Sequence, residues 1–454
     1  MDIETIVTNQ RKYFMLGATR SAEFRLDALK KLQSALRRDE QMLFDALKSD
    51  LNKSGFESYM TEVGMVLDEL HFHIRHLSSW AKVRHVRTPM AQFHAKSYMI
   101  PEPYGVALII SPWNYPLQLC LEPLIGAISA GNCVIMKPSA YAPATSHAIA
   151  KLIASLFPPE YITVVEGGRE ENNKLLSQPF DYIFFTGSMD VGHVVMEAAA
   201  KHLTPVTLEL GGKSPVIVDK TANIRLAARR VAFGKVLNAG QTCVAPDYLL
   251  IHEEVRDAFI GHFREALKTF FPDGNMKNMP TMINEKHYRR VIGLIAGENA
   301  VIGGGHDDSR RYIEPTVLID ITSDSPVMGE EIFGPVLPVI AYSKLEEAIS
   351  FVNARKKPLA LYVFTDDKKV ADAVLSRTSS GGGCVNDTII HLATPHMGFG
   401  GVGDSGMGSY HGKLSFDTFT HYKSIVKKSN FIDLPMRYHP YTDKNFNLLR
   451  MFLK

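Results

Sequence analysis

Gly105-Val106-Ala107-Leu108-Ile109-Ile110-Ser111-Pro112-Trp113-Asn114-Tyr115-Pro116 is the stretch from which the architecture is read. Five apolar residues stand side by side, without the alternation of a strand that has one wet face, and a proline-bounded turn stops them. An unbroken apolar run of this length suits a strand buried on both faces. Downstream the signal repeats at Cys133-Val134-Ile135-Met136, Ile162-Thr163-Val164-Val165 and Tyr182-Ile183-Phe184-Phe185. Helix-like segments such as Tyr141 to Phe157 separate the runs. Buried strands alternating with helices predict a parallel sheet covered on both sides. By pattern this is a dinucleotide-binding architecture, although a pattern does not name a ligand.

Working outward, the first eighty residues read as helical. Leu29, Leu32, Leu36, Leu43 and Leu47 fall on one stripe, with Arg37, Arg38, Asp39 and Glu40 among the polar positions. From His85 to Tyr104 the residues Val86, Thr88, Phe93, Ser97, Tyr98 and Ile100 suggest extended strands, closed by a Pro101-Glu102-Pro103 turn. A second strand-and-helix series begins near Pro215-Val216-Ile217-Val218 and runs to about Asn386. Beyond it lie a Gly-rich segment from Met397 to Gly408, a strand-like stretch from Phe416 to Val426, and an aromatic, basic tail. The fold class is therefore α/β: a Rossmann-like dinucleotide-binding domain (1–80 and 101–208), a second α/β domain (209–387), and a small β element with a C-terminal arm (81–100 and 388–454).

Composition narrows the function. The chain has 454 residues, 45% hydrophobic and 22% charged, which suits a folded protein of more than one core. A net charge of +2, from 50 basic and 48 acidic side chains, is too balanced for an electrostatic footprint on nucleic acid. The cysteines Cys120, Cys133, Cys243 and Cys384 form no CxxC pair, so no zinc site or disulfide scaffold is indicated. Such usage suits a reducing, cytoplasmic compartment. Met1-Asp2-Ile3-Glu4 does not read as a secretory signal, and no apolar stretch approaches the ~20 residues of a transmembrane helix. His71, His73 and His76 do not share one helical face, which argues against a metal there. The tail residues Phe446, Leu448, Leu449, Met451, Phe452 and Leu453 read as docking onto a neighbouring surface rather than as a membrane anchor.

Candidate chemistry clusters at four places. Asn238-Ala239-Gly240-Gln241-Thr242-Cys243 offers a cysteine on a turn that exposes its sulfur and its own N–H to one bound atom; a nucleophilic thiolate needs a lowered pKa or a nearby base. A buried structural cysteine is the bland alternative. In Leu208-Glu209-Leu210-Gly211-Gly212-Lys213 a carboxylate between leucines has the burial that raises its pKa toward that of a general base, unless it simply pairs with a lysine. Gly212-Lys213-Ser214 is not a phosphate loop, because position 207 is Thr rather than Gly. Asn114 sits at the carboxyl end of a strand, where ligand sites of open α/β sheets lie, and its amide suits a developing oxyanion. Thr186-Gly187-Ser188-Met189-Asp190-Val191-Gly192 opens a helix whose N–H groups suit a pyrophosphate, although its glycines are spaced GxxxxG.

Taken together, the sequences around Asn114, Lys137, Gly187, Glu209, Cys243, Phe333 and Phe399-Gly400-Gly401 resemble the motifs of the aldehyde dehydrogenase superfamily, in that family's order and across nearly the whole chain. The short N-terminus and Gly406-Met407-Gly408-Ser409-Tyr410-His411-Gly412-Lys413, followed by Phe416-Asp417-Thr418-Phe419, look like its class 3 branch of fatty and aromatic aldehyde dehydrogenases. The resemblance implies oxidation of a hydrophobic aldehyde by NAD or NADP through a thioester. Cys243 is the nucleophile, Asn114 with the Cys243 N–H the oxyanion site, and Glu209 the base that activates water. It assigns Trp113, Lys137, Ala140, Gly187, Ser188, Val191, Gly192, Glu331 and Phe333 to the cofactor, and Tyr115 and Thr242 to the substrate. Relatives selective for NAD often carry Glu three residues after the lysine; here that residue is Ala140, which implies tolerance of NADP. The resemblance also implies a homodimer, with 209–387 as an α/β catalytic domain and 81–100 with 388–454 as a small β oligomerisation element and C-terminal arm. The rival readings are a CoA-acylating enzyme or acyl reductase, which retention of Glu209 disfavours, and a non-catalytic protein on the same fold.

Overall fold

In the computed structural model, which describes residues 2–274 and 276–452, the run Val106–Ile110 is the strand from which the first sheet grows. It is buried along its length and pairs in parallel with Cys133–Lys137 on one side and Tyr182–Gly187 on the other. Across the sheet the order is Gly406–Met407, Val206–Leu210, Tyr182–Gly187, Val106–Ile110, Cys133–Lys137, Ile162–Val164. The chain thus builds in one direction from Val106–Ile110 through Ile162–Val164. It then returns to Tyr182–Gly187 on the other flank and builds the opposite way. The carboxyl ends of Val106–Ile110 and Tyr182–Gly187 form a topological switch point, where the diverging connections leave a crevice. The segments 111–116 and 188–192 both leave from there.

The second series forms a sheet of order Asn299–Ile302, Thr316–Ile319, Val336–Tyr342, Tyr248–His252, Pro215–Val218, Ala360–Phe364, Gly382–Val385. Only its edge strand Asn299–Ile302 is antiparallel to its neighbour. A third, antiparallel sheet joins Arg84–Val86, Ala95–Pro103 and Thr420–Lys428, so residues near 80–100 meet the C-terminal segment. The two-residue strand Gly406–Met407 does not belong to it; it pairs with Val206–Leu210 and brings Gly406 opposite Glu209.

Three local expectations change. The leucine stripe is fully buried but lies on two helices, Ala22–Arg38 and Glu40–Leu51, which meet at Asp39. Pro101-Glu102-Pro103 is strand rather than turn: Thr420 pairs with Pro103 and Tyr422 with Pro101. On the other side Arg84–Val86 reaches only as far as Met99, so the missing proline N–H groups fall where no strand needs them. The stretch 416–426 begins as the helix Lys413–Thr418 and becomes strand only at Thr420. At the C-terminus the helix Asp443–Phe452 sets Asn445 and Leu448 beside Met90, Phe93, Leu434, Pro435 and Met436 around an apolar groove, while Phe446 and Met451 stay exposed. Leu453 lies outside the described residues. None of the described helices is long and apolar enough to cross a membrane.

Candidate active site

Asn114 is buried in the turn between Ile110 and the helix Gln118–Ala130. Its Nδ2 donates to the Gln241 carbonyl at 3.1 Å, which occupies one amide hydrogen and leaves the second for a ligand. The Asn114 carbonyl accepts from Asn238 Nδ2 at 2.7 Å and from Lys53 Nζ at 3.1 Å. Tyr115, also buried, shares a 2.6 Å hydrogen bond with Thr242 Oγ1. The 111–116 and 238–243 loops are therefore fastened to each other on both sides of Asn114.

The 238–243 loop needs that support. Asn238 (φ 49°, ψ 32°) and Ala239 (φ 52°, ψ 34°) are both left-handed, a conformation that costs a residue with a Cβ about 1–2 kcal/mol. Asn238 N–H donates to Glu57 Oε1 at 2.7 Å, and the Asn238 side chain bridges the Asn114 and Gln241 carbonyls. Gln241 donates to the carbonyls of Asn238 and Thr281 and accepts from Ile283 N–H. Gly240, at φ 71°, runs so close to the Gly334 carbonyl that a Cβ would stand 2.2 Å from its oxygen. The strained turn is thus over-determined by its neighbours, as such turns are where they serve a site.

Cys243 emerges from this turn half-buried, whereas Cys120 and Cys133 are fully buried core residues whose thiols burial pushes up to about 12. Burial also raises the Cys243 thiol well above its ordinary value, and the nearby carboxyls of Glu331 and Glu209 add to the shift. The backbone N–H groups of Cys243 and Val244 oppose it. Together these neighbours leave the thiol raised rather than lowered.

Glu209 lies on the strand Val206–Leu210, opposite Thr186 on one side and Gly406 on the other. It is buried, and neither carboxyl oxygen has a partner among the described residues. Burial raises its pKa well above the usual carboxylate range. Lys213 does not neutralise it. That lysine pairs with Asp247 at 2.5 Å and donates to the carbonyls of Val327 and Glu330, while Asp247 accepts from Ile332 N–H at 2.9 Å. Lys213 and Asp247 thereby anchor the segment that carries Glu331 and Phe333. Glu331 keeps Oε1 unpartnered and is pushed by burial to a pKa of about 8, with the nearby Gly212 N–H opposing the shift. Phe333, at φ 48°, meets Trp113 edge-to-face at 5.3 Å.

Along the crevice, Lys137 is buried at the end of its strand and donates to the carbonyls of Pro138 (2.9 Å) and Gly167 (2.7 Å). One ammonium hydrogen remains for a ligand. Ala140 is exposed three residues on. Gly187 ends its strand, Ser188 stands at the N-cap of the helix Met189–Ala200 without a side-chain capping bond, and Val191 is exposed on the first turn. A Cβ at Gly192 would meet Leu210 at 2.8 Å, so glycine lets this helix close onto the strand that bears Glu209.

Residues 1–425 match the sequence profile described as the aldehyde dehydrogenase family. This chain belongs to the aldehyde dehydrogenase family. It is 48% identical to the 4,4'-diaponeurosporen-aldehyde dehydrogenase of Staphylococcus aureus, with 100% of this chain and 99% of that protein aligned. To the rat aldehyde dehydrogenase named dimeric and NADP-preferring it is 46% identical, over 94% of this chain and 95% of the other. Among solved structures, the substrate-bound state of Staphylococcus aureus AldH superposes with a TM-score of 0.98 at 47% identity, covering 100% of both chains. An indole-3-acetaldehyde dehydrogenase in complex with NAD+ gives a TM-score of 0.86 at 28% identity, covering 93% of this chain and 88% of the other. The protein is accordingly an oxidoreductase that oxidises aldehydes with NAD or NADP.

The residues present fit such a dinucleotide in this aldehyde dehydrogenase. The helix N-terminus at Met189 lacks a side-chain cap and suits a pyrophosphate. Glu331 keeps a free carboxyl oxygen, and a Cβ at Gly211 would stand 2.2 Å from its Oε2, so only glycine leaves that carboxyl its place. Sequence reasoning missed several contributors. Asn238 and Gln241 lie in the Asn238–Cys243 stretch, yet their bracing role has no local signature. His287, 5.0 Å from the Trp113 ring with Nδ1 unpartnered, is lowered by burial to about 4 and is neutral. Lys53, Glu57 and Glu62 carry no local motif at all. His73 hydrogen-bonds Ser129 and Glu69, and His76 stacks on Trp80.

Proposed function

We propose that Cys243 loses its thiol proton to solvent as its sulfur attacks the carbonyl carbon of a hydrophobic aliphatic or aromatic aldehyde, and that Asn114 Nδ2 and the Cys243 N–H receive the oxyanion. NAD or NADP, when bound, accepts the hydride. Loss of that hydride leaves an acyl group on the sulfur. Glu209 then takes a proton from water as the water attacks the thioester, releasing the carboxylic acid and the free thiol. The observation that carries this reading is Glu209 itself: a buried carboxyl with no partner for either oxygen, within electrostatic reach of Cys243. Lys137, Ala140, Gly187, Ser188, Val191 and Gly192 hold the adenosine and pyrophosphate side, with Glu331, Phe333 and Trp113 toward the nicotinamide. Tyr115 and Thr242 form the apolar and hydroxyl side of the substrate site, and their mutual bond fixes its wall.

Water is the preferred acyl acceptor over coenzyme A because a buried, unpaired base serves hydrolysis. The protein works as a homodimer through its antiparallel three-stranded sheet, in keeping with the relative named dimeric. Four free cysteines suit a reducing cytoplasmic compartment. The test is absorbance of reduced cofactor on mixing with long-chain and aromatic aldehydes, with and without coenzyme A. Wild type should turn over without coenzyme A, and Cys243→Ala should lose turnover while binding cofactor nearly as before. Turnover that requires coenzyme A, or that survives Cys243→Ala, overturns the reading.

A further inference from the structure

Two buried charges lie close to the reacting groups and take no chemical role in that scheme. Lys53 and Glu62 form an ion pair at 2.5 Å, and both side chains are 0% exposed. Burying an ion pair costs desolvation that its own attraction barely repays, so such a pair is weak evidence of stabilisation and invites a search for what it holds. Here its remaining bonds point one way. Lys53 Nζ donates to the Asn114 carbonyl at 3.1 Å and lies 4.1 Å from the centre of the Tyr115 ring. Glu62 Oε2 accepts from the N–H groups of Leu117 (2.8 Å) and Gln118 (3.2 Å). The pair thus grips the 114–118 segment at both ends. The same short stretch of chain braces the facing loop, since Glu57 accepts the Asn238 N–H. A π-helical turn at Tyr59–Val63 brings Glu62 inward, and π-turns recur at functional sites.

We propose that Lys53 and Glu62 are positioning residues that set the Asn114 amide against Cys243, so that the segment 53–62 registers the two catalytic loops on each other. The inference rests on the oxyanion role given to Asn114 above. Displacing a positioned group by about 1 Å costs up to ~10²-fold in rate.

The test is a double-mutant cycle between K53M/E62Q, which removes both charges while keeping similar side-chain volume, and N114A. Rapid mixing with aldehyde reads the rate of the first turnover of reduced cofactor, and fluorescence titration reads the cofactor Kd. We expect K53M/E62Q to slow the first turnover about ten- to a hundredfold with Kd unchanged, and to change it less than about twofold in the N114A background. Equal slowing in both backgrounds, or a wild-type first turnover in folded K53M/E62Q, overturns the proposal. If N114A alone leaves the first turnover intact, the oxyanion assignment fails instead. Should K53M/E62Q not fold, K53M alone takes its place under the same criteria, because it removes the bond to the Asn114 carbonyl while Glu62 still accepts from the Leu117 and Gln118 N–H groups.

Discussion

Replacing Glu209 by glutamine isolates one chemical step with little structural disturbance. Neither carboxyl oxygen has a partner, so the amide breaks no hydrogen bond, and it fills nearly the same volume. The side chain is buried and its pKa stands well above the carboxylate range, so the native state already favours the neutral form that glutamine mimics. Stability should therefore be unchanged or slightly improved. Chemistry should not be. A general base contributes ~10²–10⁴-fold, or about 3–5 kcal/mol of barrier. Because the base must lose its proton to act, wild-type kcat should rise with pH through the elevated Glu209 pKa, and Glu209→Gln should lose that limb. Acylation by Cys243 should suffer less, so rapid mixing should show a burst of reduced cofactor approaching one per active site, followed by a slow steady rate. The assay is reduced-nicotinamide absorbance in both phases across pH. A stable variant with wild-type kcat and the same pH limb would refute the assignment of Glu209 as the base.

Two further outcomes follow from other groups. Ala140, three residues after Lys137, is exposed, so nothing at this position repels a ribose 2′-phosphate, and NADP should be used within about tenfold of NAD by kcat/KM. Ala140→Glu should weaken NADP use by ~1–3 kcal/mol at a fixed ionic strength, and strong rejection of NADP by wild type would defeat the inference. Burial and the nearby Glu69 raise the Glu122 pKa well above the carboxylate range against the hydrogen bond from Gln118, and His411, 3.7 Å away, is itself lowered by burial to about 4. An acid whose folded pKa is raised contributes stability below its unfolded value and loses it as pH climbs, at up to about 1.4 kcal/mol per pH unit. Glu122→Gln should accordingly flatten the fall of Tm as pH rises above the ordinary carboxylate range. Parallel Tm curves for wild type and variant would show that Glu122 ionises normally in the fold.

The order of strands and helices was legible because burial on both faces removes any reason for a polar residue in runs such as Val106–Ile110 and Cys133–Met136. Cys243, Glu209 and Asn114 could be singled out because each sits in a short local pattern, and Ala140 because a single position decides whether a charge is present, while the roles proposed for them rest on the folded geometry. What lies between those patterns was not. Pro101 and Pro103 read as a turn until the register showed that the neighbouring strand stops at Met99. Asn238 and Ala239 carry no sign of a left-handed turn, since that backbone is held by Glu57, Asn114 and Gln241 rather than by its own propensity. Lys53 and Glu62 look like ordinary surface charges, and only the packing of their segment against the 114–118 loop buries them. The raised thiol of Cys243 belongs to the same class, because it depends on Glu331 and Glu209 arriving from distant parts of the chain. Local sequence sets which groups are present and which backbone runs are apolar; desolvation and long-range contact, which set charge state and strain, arise only when the chain is folded.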